Sequence, residues 1–393
     1  MNEGRWLVLG NVFAMNFVVT GAAWIYVVVL VAPILADHGL ALADWGLLWG
    51  GLSTGALLGS VPAGVLGDRY GVRRVVTLGA LAMAGALTLR GVAPGFATLL
   101  GAMVLYGFTL SLVATNLPRA LGLWFPAAEL GMANGIALGG NGAGQGLAMY
   151  AAPLLVGHVG GWRGLTFALA AAVAVLALIW SALVRDRGEV AAASASDVFS
   201  GLAAALGIRD VWLLAGSYLF FLAGYLGIVA YLPTYLTTVR GLEPQQAGGM
   251  LTVVLVSYVV GSLILPGLSD RIGLRRAMYV PCIALAGAMV YASSAVVGAP
   301  LFGVMVVWGF AAGAIALVFV VPLELPSVGP AYGGAALGLT LMAGFLGGIF
   351  SPALGLWLAE REPLWAFAFW AGCYGLSALL FFLLPETGPG RRR

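Results

Sequence analysis

The chain has no lysine, two cysteines and two histidines, and only 8% of its 393 residues are charged. Each shortage excludes something. Cys282 and Cys373 both fall inside apolar runs, where a small buried hydrophobe is the expected role, so neither a disulfide framework nor a thiolate metal site is implied. His38 and His158 lie outside those runs, with no second ligand at metal spacing and no nucleophile beside them. A glycine loop for nucleotide phosphates is also missing. Catalysis, a bound cofactor, a metal and ATP-driven work are therefore not expected. What the chain does have is apolar surface: 62% of its residues are hydrophobic, against about 45–50% in ordinary soluble domains. It reads as an all-α, polytopic membrane protein.

Runs able to cross roughly 30 Å of hydrocarbon as helices lie at 6–35, 45–66, 75–92, 96–117, 130–156, 165–184, 211–236, 247–266, 277–297, 301–321, 332–358 and 364–384. They form twelve predicted spans in two sets of six. The first is far longer than the about 7–15 residues of a signal-peptide core, so it is expected to remain as a helix. Arginine is the only base available for orientation. With the N-terminus inside, fourteen of eighteen arginines are cytoplasmic, and only Arg90, Arg163, Arg240 and Arg361 fall outside. Both termini are thus expected in the cytoplasm. This topology accounts for the net charge of +3 without a nucleic-acid partner. The tail Arg391-Arg392-Arg393 suits anionic lipid head groups. The polar stretch 185–210 reads as a cytoplasmic linker between an N-terminal bundle, 1–184, and a C-terminal bundle, 211–393.

The stretch Gly64-Val65-Leu66-Gly67-Asp68-Arg69-Tyr70-Gly71-Val72-Arg73-Arg74 sets an acid, three arginines and turn glycines between two apolar runs. Its spacing returns as Pro266-Gly267-Leu268-Ser269-Asp270-Arg271-Ile272-Gly273-Leu274-Arg275-Arg276, which makes the chain an internal duplication. A single such hairpin could follow from topology rules alone, but two copies six spans apart are specific. The pattern resembles the loop signature of the major facilitator superfamily, found between helices 2 and 3 and, more weakly, between helices 8 and 9. The resemblance implies two pseudo-symmetric six-helix bundles around a central cavity, with a midplane substrate site and alternating access. It also implies a conformational role for Asp68, Arg69, Arg73, Arg74, Asp270, Arg271 and Arg275. In the family the signature acid sits against the start of helix 11, here near Tyr332.

Several side chains are candidates for the site. Asn16, Thr20 and Trp24 recur at four-residue spacing on span 1 and so share a face, which the cost of polar groups in lipid turns toward the bundle or a wet cavity. Interhelical hydrogen bonding alone is the competing explanation. Span 5 carries Gly131, Gly135, Gly139, Gly140, Gly142, Gly144 and Gly146, with Asn141 and Gln145 one turn apart at its centre. Close packing or ligand approach must offset that much glycine, and Asn141 and Gln145 are expected to contact substrate. The Gly140-Asn141 pair resembles the glycine-rich helix 5 of nitrate/nitrite porters, although that family places an arginine within helix 2 and another within helix 8, and neither span has one here. On spans 7 and 8, Tyr218, Tyr225 and Tyr258 suit a cavity wall, with aromatic packing as the rival.

The end of span 4, Asn116-Leu117-Pro118-Arg119 and then Trp124-Phe125-Pro126 with Glu129, resembles superfamily carriers of small anions. Aligning the halves brings Glu324 to the equivalent end of span 10. An ion-pair gate between Arg119 and Glu324, direct or through Arg73, Arg74 and Glu129, is expected there, against the plainer reading of solvated loop charges. No acid or base falls at mid-depth of a span, so coupling through a protein carboxylate is disfavoured. Together these features predict a monomeric, multi-pass protein of a bacterial inner membrane. It would move a small organic solute, foremost a small organic anion, by secondary active or facilitated transport. Efflux of lipophilic drug-like compounds is the alternative, as is a transport-dead sensor, which would usually carry an extra soluble domain.

Overall fold

The computed structural model describes residues 3–185 and 205–388. Among them, twelve long helices follow one another and no strand occurs. Helix α1 covers residues 3–38; α2 is Leu42–Tyr70, α3 Val72–Val92, α4 Phe96–Trp124, α5 Ala127–Leu155 and α6 Gly161–Leu183. Then come α7 at Arg209–Thr238, α8 at Pro244–Ile272, α9 at Arg276–Ala292, α10 over residues 299–324, α11 at Gly329–Arg361 and α12 at Pro363–Phe382. Each expected span falls on one of these helices, most of which extend beyond the apolar run, although α9 ends at Ala292, five residues short of the expected 297. Nine of the described helices are long and apolar enough individually to cross a membrane. The glycine-rich α2 and α5 and the short α9 are the others. Most of the linker read from the sequence lies outside the described residues.

Two helices are not regular. Helix α1 passes from α-helix through a π-helical stretch, Asn16–Ala22, and a tight 3₁₀ stretch, Tyr26–Leu30, before α-helix resumes at Val31. Helix α10 holds a 3₁₀ stretch at Gly313–Phe319. Each 3₁₀ stretch contains the carbonyl four residues before a proline, Pro33 or Pro322. That carbonyl has lost its ordinary helical donor, which favours the tighter turn.

The chain separates into two compact units, Met1–Ala192 with Pro233–Thr252, and Ala193–Leu232 with Val253–Arg393. Within the first, glycines set the helix spacing. A Cβ at Gly59 of α2 would stand 2.6 Å from the Phe108 carbonyl of α4, and one at Gly107 would overlap the Leu52 carbonyl. Helices α1 and α5 approach as closely: a Cβ at Gly140 would stand 2.7 Å from Phe13 O, and one at Gly144 would overlap Phe17 O. The ends of α7 and α8 assigned to this unit join α5, where Thr252 donates to Gly146 O at 3.0 Å. In the second unit, hydroxyls tie α7, α9 and α12 together: Ser217 Oγ lies 3.1 Å from Tyr279 Oη, which lies 3.0 Å from Ser377 Oγ. The two signature hairpins turn on matching glycines, Gly71 at φ 84° and Gly273 at φ 80°, values that side chains with a Cβ seldom adopt.

Candidate functional site

Side chains of α1, α4 and α5 enclose a cavity of about 190 Å³ in the first unit, with Asn16, Thr20, Asn134 and Asn141 as its polar lining and Val12, Pro118, Leu121 and Leu138 among the apolar part. The polar groups form a relay. Gln145 Nε2 donates to Asn141 Oδ1 at 2.7 Å, and Asn141 Nδ2 donates to Thr20 Oγ1 at 2.8 Å. Thr20 Oγ1 in turn reaches Asn16 Oδ1 at 3.0 Å, while Asn16 Nδ2 donates to Val12 O at 3.1 Å. The oxygens of Asn16 and Asn141 therefore already accept a bond inside the relay. Each primary amide has two N–H groups, so Asn16, Asn141 and Asn134, whose Nδ2 donates to Leu130 O at 3.0 Å, each retain one. The amide oxygens keep acceptor capacity too, and that of Asn134 accepts no bond among the described residues, so the cavity offers neutral donors and acceptors to a small polar or singly charged guest.

The structure thus brings Asn16, Thr20, Asn141 and Gln145 together and leaves Trp24 apart. Trp24 is not in the cavity lining; its ring lies 5.8 Å from that of Trp49 on α2. The wider turn of the π stretch between Asn16 and Ala22 carries position 24 off the shared face. The glycine tract of α5 is divided as well. Gly140 and Gly144 seat α1, whereas a Cβ at Gly131, Gly135 or Gly139 would meet nothing within 4 Å. Asn134 went unnoticed in the sequence, although it sits seven residues before Asn141 and hence on the same helix face.

Tyr218, Tyr225 and Tyr258 belong to the second unit, where they form a stacked column through Phe221. Successive ring centroids are 6.5 Å (Tyr218–Phe221), 6.0 Å (Phe221–Tyr225) and 5.9 Å (Tyr225–Tyr258) apart. Their packing is aromatic. No hydrogen-bond partner of the three hydroxyls occurs among the described residues.

The charges of the hairpins find partners within their own units. Arg119 Nη1 binds Asp68 Oδ1 and the Gly64 carbonyl, both at 3.0 Å. Arg73 binds the Ser181 carbonyl, Arg5 pairs with Glu129 at 3.0 Å, and Arg69 lies over the Tyr70 ring. In the second hairpin Arg275 is held on both sides. Its Nε and Nη2 donate to the Glu324 carboxylate at 3.0 and 2.7 Å, and Nη1 meets Asp270 at 2.6 Å. Those two carboxylates keep the Arg275 guanidinium above its ordinary range. Glu386 caps the start of α9, accepting from the backbone N–H of Arg275 at 2.6 Å and of Arg276 at 2.9 Å. Arg74 and Arg271 are exposed. Within their own units, Arg119 pairs with Asp68 and Glu324 with Arg275. The two hairpins are tied to α4 and α10 with the sign of the tie reversed.

Arg90, counted among the outer-side charges, lies in the last turn of α3 and is 1% exposed. Its Cζ sits 4.8 Å from the centroid of the Tyr106 ring, and Nη1 reaches Tyr26 Oη at 3.5 Å. Nearby, Arg163 pairs with Asp37 at 2.9 Å and donates to the Gly91 carbonyl at 2.6 Å, so α1, α3 and α6 are pinned together at this end.

A twelve-helix membrane protein with a small amide-lined cavity among its helices, and no metal-binding cluster among its described residues, has the build of a solute carrier. The chain belongs to the Major Facilitator Superfamily, whose family model matches residues 12–349. It is 29% identical to the probable nitrate/nitrite antiporter NarK1 of Thermus thermophilus, over 94% of this chain and 87% of that protein. It is 28% identical to the probable nitrate/nitrite transporter NarK2 of Mycobacterium tuberculosis, over 84% and 83% of the two chains. Among solved structures, it matches a bacterial homolog of the human lysosomal transporter Spinster, crystallised in an inward-facing, unoccupied conformation, with a TM-score of 0.82 at 16% identity over 98% and 97% of the chains. The nucleoside transporter NupG matches with a TM-score of 0.79 at 17% identity, over 96% of this chain and 98% of that one. At such identities the structural matches speak to the fold, which is the twelve-helix major facilitator fold.

Proposed function

We propose that this protein carries a small, singly charged anion across the membrane by alternating access, and that Asn16, Thr20, Asn134 and Asn141 hold it, with Gln145 orienting Asn141. The observation that carries the reading is one small, neutral cavity lined by three amides, each with an N–H group left over after its bonds to neighbours. Its volume of about 190 Å³ lies below the roughly 300–1,000 Å³ of drug-sized pockets, which supports a small solute over a lipophilic drug. The relatives' names bring nitrate and nitrite as the first candidates. The neutral lining adds small carboxylates, because α2 and α8 carry no arginine in their apolar parts.

The rest of the reading follows from the charges. The excess of arginine on one side supports cytoplasmic termini, a bacterial inner-membrane location and a cytoplasmic linker at 185–210 between bundles 1–184 and 211–393. The protein works as a monomer among lipids and is not an enzyme. Asp68, Arg69, Arg73, Arg74, Arg119, Glu129, Asp270, Arg271, Arg275 and Glu324 hold the cytoplasmic ends of the helices through the cycle. Trp24, Tyr218, Tyr225 and Tyr258 contribute apolar and aromatic wall. The test is counterflow into proteoliposomes preloaded with nitrate, nitrite, formate, acetate or chloride, with labelled nitrite outside. Saturable exchange with one or more of the planar anions is expected. Exchange with none of them, alongside uptake of a lipophilic dye, would favour the drug-efflux alternative.

A further inference from the structure

The backbone of α1 leaves the α-helical pattern where it meets the amide relay. Across Asn16–Ala22 the turns are π-helical, and at their end the Ala23 N–H bonds Val18 O. In an α-helix that N–H would reach Val19 O, four residues back, so the Val19 carbonyl has lost its ordinary donor. A buried carbonyl needs a replacement. Tyr106 of α4 supplies one: its Oη donates to Val19 O at 3.1 Å, and its side chain is fully buried. Among the described residues that hydroxyl has no other hydrogen bond. The ring is held in turn by Arg90, whose Cζ lies 4.8 Å from its centroid in a cation–π contact.

Val19 O and the Thr20 N–H belong to one planar peptide group. Fixing that carbonyl fixes the plane from which the Thr20 side chain leaves the helix. Thr20 is the link of the relay between two helices: its Oγ1 accepts from Asn141 Nδ2 on α5 and reaches Asn16 Oδ1 on α1 itself. The space around this turn is already taken, since a Cβ at Gly21 would stand 2.7 Å from Asn141 O and 2.9 Å from Asn16 O. A return to α-helical bonding would rotate Thr20 about the helix axis relative to Asn16 and draw it off Asn141. We infer that Tyr106 is a positioning residue for the proposed anion site: it stands outside the cavity lining, holds the π-helical turn through Val19 O, and so presents Thr20 to Asn141. The inference rests on the amide-lined cavity being the transport site.

The test compares wild type, Tyr106→Phe, Thr20→Ala, their double variant and Tyr26→Phe in labelled nitrite counterflow, together with hydrogen exchange of the backbone amides over 16–24 in the purified full chain. Phenylalanine keeps the ring of Tyr106 against Arg90 and removes only the hydroxyl. In Tyr106→Phe, half-saturation is expected to rise by about threefold or more, the scale of one lost hydrogen bond, with the maximal rate per folded protein unchanged and exchange over 16–24 quickened. In the Thr20→Ala background it is expected to add nothing, because Tyr106 acts through Thr20. Tyr26→Phe deletes another buried hydroxyl, one that meets Thr166 instead of the π turn, and should keep the wild-type half-saturation. Wild-type half-saturation in Tyr106→Phe while Thr20→Ala raises it would overturn the positioning role and leave the amide site standing. So would equal rises in Tyr106→Phe and Tyr26→Phe, or fully additive effects in the double variant. Wild-type half-saturation in both Thr20→Ala and Tyr106→Phe would contradict the amide site and the positioning role together. If the wild type exchanges no nitrite, hydrogen exchange decides: quicker exchange over 16–24 in Tyr106→Phe than in Tyr26→Phe supports the hold on the π turn, and equal exchange overturns it.

Discussion

Glu324→Gln is the sharpest structural perturbation the second unit offers. The Arg275 side chain is 6% exposed, and the Glu324 carboxylate, 25% exposed, grips it with two hydrogen bonds at 2.7 and 3.0 Å. Asp270 holds the same guanidinium at 2.6 Å but is itself 59% exposed. Removing one partner of a fully buried pair costs about 3–5 kcal/mol, whereas hydrogen bonds to charged groups contribute about 1.5–3 kcal/mol. Glutamine keeps one acceptor, and Asp270 still offsets the arginine charge, so the lower range applies. We expect Glu324→Gln to destabilise by about 2 kcal/mol and Asp270→Asn by less than about 1 kcal/mol, as for an exposed pair. The assay is reversible unfolding in mixed micelles at low and high salt, with Arg275→Met closing a double-mutant cycle. Because the Glu324 contact is partly shielded, its loss should depend weakly on salt. Equal cost for the two carboxylates, or no coupling between Glu324 and Arg275, would refute the reasoning.

Three further outcomes are expected. Asp68→Asn, in a half-exposed pair with Arg119, should change stability by no more than about 1 kcal/mol while slowing counterflow, and wild-type rates at equal expression would remove the conformational role given to Asp68. Gly144→Ala places a Cβ against the Phe17 carbonyl and should cost at least about 1–3 kcal/mol of overpacking, whereas Gly139→Ala, with nothing within 4 Å, should be neutral or stabilising in the same unfolding assay. Tyr225→Phe should leave stability unchanged, because its hydroxyl has no partner among the described residues; a raised KM for counterflow at unchanged stability would place that hydroxyl on the transport path.

The helices were legible because an apolar run of membrane length has few other fates, and the duplicated hairpin gave the family through Asp68 and Asp270. The Asn141–Gln145 pair also read correctly as neighbours, since four-residue spacing on a regular helix fixes their distance. Where helix geometry departs from the regular, the sequence pattern misled: the π stretch of α1 separates Trp24 from Asn16 and Thr20. Partner choice was equally hidden. Arg119 and Glu324 are a base and an acid at equivalent ends, but which partner each side chain reaches depends on helix packing within its own unit. Arg90 shows the same limit. In sequence it stands two residues before a helix end, where a long side chain ordinarily snorkels to the interface. Only the packing of α1 and α4 against α3, through Tyr26 and Tyr106, encloses the guanidinium.

The claim that the amide relay of α1 and α5 holds the transported anion is tested most directly by counterflow with an Asn141→Ala/Gln145→Ala double variant in proteoliposomes without an imposed pH gradient. The loss of a hydrogen bond to a charged guest, about 1.5–3 kcal/mol, predicts that half-saturation rises by roughly tenfold or more while wild-type exchange proceeds with no proton gradient. Unchanged affinity and rate in the double variant, or exchange by the wild type only when a proton gradient is applied, would contradict it.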